Sequence, residues 1–439
     1  MSINFNSVKK VYFLGIGGIG VSALARMFLH DNKAVFGSDT SENEITDELK
    51  KAGANVFLGQ DLEHIPADTD LVIYSIALDI FVPEFMKQVR EKINIGVGGL
   101  ASHNRVISYP EALSIISKNK FTIAIAGTHG KTTTTAMVAK ILIDAGLDPT
   151  VIVGSILKDV KSNFIAGKSK YLVVEACEYC RSFLKINPTV VGITTIDDDH
   201  LDYYKDSADI EKAFGEFASK ASEVVIGNLS DPKISQLATY NSQLKFIDSE
   251  KYFDKNLELK IPGEHNRKDA SVALAIADFI GIPKEVALKS IKEFSGTWRR
   301  FEYKGETAKG AKVYDDYGHH PAEIKATIAG TKEAFPDSKI IVVFQPHLFS
   351  RTKLLLADFQ KAFEGADKTI LLPIYPAREE FDPTISSENI ITENSKNIEM
   401  AKDFSDASKK AFEYGNKDDV ILVMGAGDVY EVTNLLLNQ

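Results

Sequence analysis

The chain has 439 residues, of which 44% are hydrophobic and 26% charged, and a formal net charge of −10. That length exceeds what a single core serves and predicts two to four domains. The acidic balance argues against nucleic acid or an anionic membrane as main partner. No run of about eighteen apolar residues is present to form a transmembrane helix. The only cysteines, Cys177 and Cys180, are too few for a disulfide scaffold or a zinc site. They read as small, partly buried residues of a reducing cytoplasm.

Taken in order, Val11–Leu14 reads as a strand rather than the apolar core of a signal peptide, because glycines follow at once. The turn Gly15-Ile16-Gly17-Gly18-Ile19-Gly20 leads into a helix over Val21–His30 with Leu24, Met27 and Phe28 on one face. Ala34–Phe36 makes a second strand ending at Gly37-Ser38-Asp39, and Leu71–Ser75 a third. G-x-G-x-x-G between strand and helix, with an acid about twenty residues on, is the pattern of a dinucleotide-type phosphate site. It does not say which nucleotide. Packing of helix on strand is the plainer use of such a turn.

A second unit, about 111–297, opens with the apolar strand Phe121–Ala126, the turn Gly127-Thr128-His129-Gly130, then Lys131 and a helix over Thr133–Ala145. Strand, glycine loop, Lys-Thr and helix wrap backbone N–H groups around a phosphate chain. The spacing G-x-x-x-x-G-K-[ST] fails, since Ile125 stands at its first glycine. A lysine at a helix N-terminus is electrostatically unfavourable, so an anion is expected beside it. Glu175 closes the strand Tyr171–Ala176, where a carboxylate can reach Mg²⁺, and Glu178 follows. Val190–Ile196 runs into Asp197-Asp198-Asp199-His200, an acidic cluster that repels itself unless a cation is near. Glu223–Ile226 is a further strand, and Asp269–Ile280 a helix preceded by Gly263-Glu264-His265-Asn266, where Asn266 could serve as an N-cap.

The third unit begins at Trp298-Arg299-Arg300-Phe301, where an arginine either clamps phosphate or is surface charge. Its strands are Lys312–Tyr314, Ile340–Phe344, Thr369–Leu372 and Val420–Met424, with helices over Pro321–Ala334 and Thr352–Phe363. Asp315-Asp316-Tyr317-Gly318-His319-His320 and Gln345-Pro346-His347 with Ser350-Arg351 follow successive strands, as a substrate crevice requires. Strands alternating with helices throughout predict an α/β fold with largely parallel sheets.

The ordered set GIGGIG, AGTHGKTTTT, EACEY, DDDHLDYY, GEHN, WRRFE, DDYGHHP, FQPH–SRT and MGAGD closely resembles the Mur ligases of peptidoglycan synthesis, over nearly the whole chain. The resemblance implies three domains: a Rossmann-like UDP-sugar domain (1–110), a central P-loop ATPase domain (111–297) and a Rossmann-like C-terminal domain for the amino acid (298–439). Within the family the motifs look most like the branch that adds the first residue, L-alanine, to UDP-N-acetylmuramate. Gly127, Thr128, His129, Gly130, Lys131, Thr132 and Thr133 then match the ATP loop, with Thr132 and Glu175 as ligands of one Mg²⁺ and His200 as the ligand of a second. Asn266, Arg300 and Asp316 resemble further ATP contacts. Gly15, Gly17, Gly18, Ile19, Gly20, Ser38, Asp39 and Ser75 resemble the UDP-sugar site, and Tyr317, His319 and Arg351 the surroundings of the amino acid. His319 is the candidate for orienting or deprotonating the incoming ammonium.

Four positions depart from the family pattern. Cys177 and Cys180 replace acids, Asp269 an asparagine and Leu348 an arginine, while Gly215 stands where later Mur ligases carry a carbamylated lysine. The resemblance implies ATP and Mg²⁺ as cofactors, a cytoplasmic monomer or homodimer, and no nucleic acid or membrane insertion. The competing readings are a ligase recycling whole tripeptide onto the same sugar nucleotide, and a nicotinamide-dependent oxidoreductase argued from Gly15–Gly20 alone. A non-catalytic nucleotide switch is a third.

Overall fold

The structure is a computed structural model describing residues 3–95, 105–201, 203–377, 379–393 and 395–439. It divides into two compact units, residues 1–253 with 270–291, and residues 254–269 with 292–439. The first holds two sheets, the second one.

In the first sheet, β1 (Lys10–Leu14), β2 (Ala34–Asp39), β3 (Asn55–Leu58), β4 (Leu71–Tyr74) and β5 (Val106–Ser108) lie in the order β3-β2-β1-β4-β5, all parallel. The order reverses at β1, so the crevice between the ends of β1 and β4 is the switch point where such sheets bind ligands. The helix Ile19–His30 starts there, its Phe28 packed edge-on against Phe13 of β1.

The second sheet comprises β6 (Phe121–Ala126), β7 (Thr150–Leu157), β8 (Ser162–Ile165), β9 (Tyr171–Glu175), β10 (Val190–Ile193), β11 (Val224–Gly227) and β12 (Lys245–Asp248). Their order is β12-β11-β10-β6-β9-β7-β8, parallel except for the β7–β8 hairpin. β6 therefore lies between β9 and β10, and the segments leaving all three converge at one edge. The hairpin also reaches the first sheet's helix: fully buried Asn163 donates through Nδ2 to Ile19 O (2.5 Å) and Ser22 Oγ (2.9 Å).

The third sheet has β13 (Glu302–Glu306), β14 (Lys312–Asp316), β15 (Ile340–Phe344), β16 (Lys368–Leu371), β17 (Ile398–Met400) and β18 (Val420–Met424), in the order β13-β14-β18-β15-β16-β17. Only β13 runs antiparallel to its neighbour. β15 and β18 are apolar and buried at every position, as strands covered on both faces are.

The expected α/β fold with largely parallel sheets is present, and Phe121–Ala126, Ile340–Phe344, Val420–Met424 and the helix Pro321–Ala334 have the expected bounds. The expected helix over Thr352–Phe363 is instead two short ones, Phe349–Leu354 and Leu356–Phe359, separated at Leu355 (φ −101°, ψ 21°). Asn266 is no N-cap. It lies inside the helix Glu264–Phe279 and donates from Nδ2 to Pro262 O at 2.7 Å.

Candidate active site

The apolar strand β6 delivers the chain to Gly127 at φ +143°, where a Cβ would lie 1.9 Å from Thr194 Oγ1. Only glycine fits. The loop is laced to the segment after β10: Thr128 N–H donates to Thr195 O (2.9 Å), His129 N–H to Thr195 Oγ1 (2.9 Å) and Asp197 N–H to Thr128 Oγ1 (2.8 Å). Gly130, at φ +79°, caps the helix Lys131–Asp144 without a side-chain acceptor. The first N–H groups of that helix have no intrahelical partner and carry the positive end of its dipole. The loop is a cradle for an anion.

Lys131 is the first residue of this helix. Its Nζ donates to Gly127 O (2.5 Å), Thr128 O (3.0 Å) and Glu178 Oε1 (2.9 Å). The anion expected beside it is thus supplied by the chain itself. Burial works against the ammonium's charge, but the carboxylates of Glu178 and Glu175 outweigh it and hold the pKa above the ordinary lysine value. Thr132 Oγ1 donates to Glu175 Oε1 at 3.1 Å, and Gly154 N–H donates to Glu175 Oε2 at 2.7 Å. Of the other threonines, Thr133 and Thr134 are buried, and Thr135 Oγ1 returns to Lys131 O at 2.7 Å.

His200, in the left-handed region at φ +54°, places Nε2 3.9 Å from both Glu178 Oε1 and Asp199 Oδ2. The acidic run is partly satisfied by its own backbone, with Asp198 N–H on Asp197 Oδ1 and His200 N–H on Asp199 Oδ1. Among the described residues no three His, Cys, Asp or Glu side chains form a ready-made metal site. The donors that do gather are nonetheless of the right kind. Thr132 and Glu175 supply hard oxygens, and Glu178 Oε2 is buried with no hydrogen-bond partner. Mg²⁺ takes one or two carboxylates and completes its shell from substrate phosphates and water. The residues fit that ion. Cys177 is exposed rather than partly buried, and Cys180 is half-buried; the two form no disulfide.

All the residues expected at the first glycine turn gather at the ends of β1, β2 and β4. Gly15 turns at φ +76°, and its N–H and that of Ile16 both donate to Ser38 O. Gly17 N–H donates to Asp39 Oδ2 at 2.8 Å, Gly18 caps the helix that Ile19 begins, and Gly20 leaves room for the Tyr109 ring. Ser75 N–H donates to Leu14 O. Asp39 braces the turn as well as standing near the crevice.

The second unit brings together the other set. Asp316 is buried at the end of β14, accepting from Phe301 N–H and Gly318 N–H at 2.8 Å each. Burial raises its pKa, against the pull of the Arg300 guanidinium. Arg300 is half-buried and stacks over Tyr317 (5.2 Å). Its neighbour Arg299 is no surface charge. It is 2% exposed and spends its guanidinium on Asp315 Oδ2 (3.0 Å), Gly427 O (3.0 Å) and Gly425 O (2.6 Å).

His319 Nδ1 lies 3.1 Å from Tyr317 O. A carbonyl only accepts, so Nδ1 is the donor of this hydrogen bond. The His319 ring is 5.9 Å from that of His347, whose Nδ1 accepts from Arg351 Nη1 (3.2 Å) and whose ring stacks on Tyr375 (5.7 Å). Tyr317, His319 and Arg351 are therefore joined through His347, which, like the Tyr375 ring stacked on it, was not assigned from the sequence. Glu178 and Asn163 were equally unassigned. The Q-P-H run pointed to His347, while nothing local marked Tyr375 or Asn163.

A phosphate loop with a strand-end carboxylate, and a second glycine turn in the same unit, define a P-loop nucleotide-binding α/β protein with an added dinucleotide-type domain. Family models match in three consecutive blocks: the Mur ligase family catalytic domain (residues 10–120), the Mur ligase middle domain (125–249) and the Mur ligase glutamate ligase domain (299–427). The chain belongs to the Mur ligase family. It is 40% identical to a UDP-N-acetylmuramate–L-alanine ligase of Clostridium kluyveri over 100% of both chains. It is 38% identical to the one of Aquifex aeolicus over 96% of both. Among solved structures it resembles the UDP-N-acetylmuramate-alanine ligase MurC of Thermotoga maritima (TM-score 0.79, 26% identity, 98% of both chains). The murein peptide ligase of Psychrobacter arcticus shares the fold (TM-score 0.72, 23% identity, 98% of both chains).

Proposed function

We propose that this chain is an ATP-dependent carbon–nitrogen ligase. It joins L-alanine to the lactyl carboxylate of UDP-N-acetylmuramate, giving UDP-N-acetylmuramoyl-L-alanine, ADP and phosphate for peptidoglycan synthesis. The observation that carries this reading is the pair of phosphate cradles in one unit, after β1 and after β6. Transfer between a nucleoside triphosphate and a nucleotide-linked sugar needs both. The full-length similarity to ligases of that name supports the choice of alanine.

A carboxylate does not condense with an amine in water until its oxygen is made a leaving group. A lactyl carboxylate oxygen attacks the γ-phosphorus, the bond to the β–γ bridging oxygen breaks, and ADP leaves an acyl phosphate. The alanine amine then adds to the acyl carbon, and the tetrahedral intermediate expels phosphate. Lys131 and the helix N-terminus behind Gly130 stabilise the charge that spreads over the transferring phosphoryl group, as Arg300 does from the C-terminal domain. Thr132 and Glu175 would hold one Mg²⁺ and His200 a second, and the ions when bound would neutralise phosphate charge. Asn266 and Asp316 serve the nucleotide. Tyr317, His319 and Arg351 seat the amino acid, with His319 as the group that orients or deprotonates its ammonium. The glycines 15, 17, 18 and 20, with Ile19, Ser38, Asp39 and Ser75, hold the UDP-sugar.

The domains on this reading are 1–110, 111–297 and 298–439. No described helix is long and apolar enough to cross a membrane, and we place the enzyme in the cytoplasm as a monomer or homodimer. The test is an isotope transfer. With ¹⁸O in the lactyl carboxylate, one labelled oxygen is expected in the phosphate released for each ADP formed. Phosphate free of label contradicts the mechanism.

A further inference from the structure

Lys131 has three N–H donors, and all three are used within the chain. A lysine in this state cannot also bond a phosphate. Two of its acceptors, Gly127 O and Thr128 O, are carbonyls of the loop itself and move with it. The third, Glu178 Oε1, is an anion and the only one of the three that a phosphate oxygen resembles.

Glu178 has nowhere else to go. It is 2% exposed, and its backbone carbonyl is held by Tyr204 Oη (2.5 Å) and Arg181 N–H (2.9 Å). Tyr204 is itself buried, and the Arg181 side chain reaches Asp209 at 2.5 Å. The carboxylate can therefore change partner but cannot leave the pocket. The same Oε1 that holds Lys131 lies 3.9 Å from His200 Nε2, and Oε2 is buried with no partner.

We propose that Glu178 is a placeholder for the nucleotide's terminal phosphate: it neutralises Lys131 in the free enzyme and, displaced by phosphate, turns to the second Mg²⁺, the ion assigned to His200 above. A displaced carboxylate beside a triphosphate is strongly repelled unless a cation intervenes. Nucleotide binding therefore creates the demand for the cation, and the cation in turn favours the nucleotide. Coupling of this kind is reciprocal and commonly amounts to 5–150-fold. The role rests on the function proposed above, but it concerns equilibrium binding alone.

The experiment measures the Kd of a non-hydrolysable ATP analogue by calorimetry, in EDTA and in Mg²⁺, for the wild-type chain and Glu178→Gln. In EDTA the variant is expected to bind about tenfold more tightly, and its gain in affinity on adding Mg²⁺ to shrink by a similar factor. An unchanged or weaker affinity in EDTA with an undiminished Mg²⁺ gain overturns the proposal. Should Glu178→Gln fail to fold, Glu178→Asp shortens the reach by one methylene and is expected to shrink the Mg²⁺ gain likewise; an undiminished gain overturns the proposal equally. Mn²⁺ titration at saturating analogue, read by electron paramagnetic resonance, supplies a second readout. A site present in the wild-type chain and lost in the variant supports the role, and identical titrations refute it. If the wild-type chain itself binds no analogue under either condition, the ligase reading fails, and the proposal with it.

Discussion

Lys131→Ala is expected to lower ligation by about 10²–10³-fold or more, the scale of losing one preorganised charge at a phosphoryl-transfer site. The same variant is expected to lose stability. Lys131 and Glu178 form a buried pair at 2.9 Å, with side chains 14% and 3% exposed. Removing one partner of such a pair costs about 3–5 kcal/mol, because the other charge stays buried alone. Activity lost in the single variant is therefore ambiguous between chemistry and folding. The double variant Lys131→Ala/Glu178→Gln removes that ambiguity, since it buries no unpaired charge. Its melting temperature should recover most of the loss while ligation stays at the level of the single variant. Recovery of ligation with stability would reduce Lys131 to a structural role.

The adjacent arginines should part company in the same way. Arg299→Ala is expected to destabilise the C-terminal unit by about 3–5 kcal/mol, since it strips a buried carboxylate and two carbonyls of their donor. Its guanidinium also lies 4.9 Å from the Tyr430 ring and 5.4 Å from that of Tyr317, so packing is lost with the charge. The loss should depend on pH. Burial already pushes the Asp315 carboxyl up to about 6, against the lowering effect of Arg299. A folded-state pKa raised above the unfolded value adds stability at low pH that is lost as pH rises through the folded value. Without Arg299 that pKa rises further. The defect should be smaller at pH 5, where the carboxyl can hold a proton, than at pH 8. Arg300→Ala, by contrast, should melt close to the wild-type chain and lose turnover. Equal melting curves for the two variants would contradict this division of labour.

The features legible in the sequence are those fixed by local pattern. The strands β6, β15 and β18 are continuous apolar runs, and Gly127 and Gly130 occupy positions whose backbone turns through positive φ. The helix Pro321–Ala334 announces itself by a proline at its first position and Glu323 closing a capping box. What stayed hidden was set by partners distant in sequence. Short half-exposed edge strands such as β3 and β12 carry no strong alternation. Arg299 and Arg300 are indistinguishable in a string of letters, and only the fold turns one inward onto Asp315. Glu178 reads as one more acid after Glu175 until Lys131, forty-seven positions earlier, is seen against it. Asn163 is separated from the Ile19 carbonyl it binds by 144 positions.

The central claim is that a single amino acid, L-alanine, is joined to UDP-N-acetylmuramate. The direct measurement is ADP release with ATP, Mg²⁺ and UDP-N-acetylmuramate, against a panel of L-alanine, glycine, L-serine and the peptidoglycan tripeptide. Release is expected with L-alanine and negligible with tripeptide. Turnover with tripeptide and none with single amino acids would contradict the assignment.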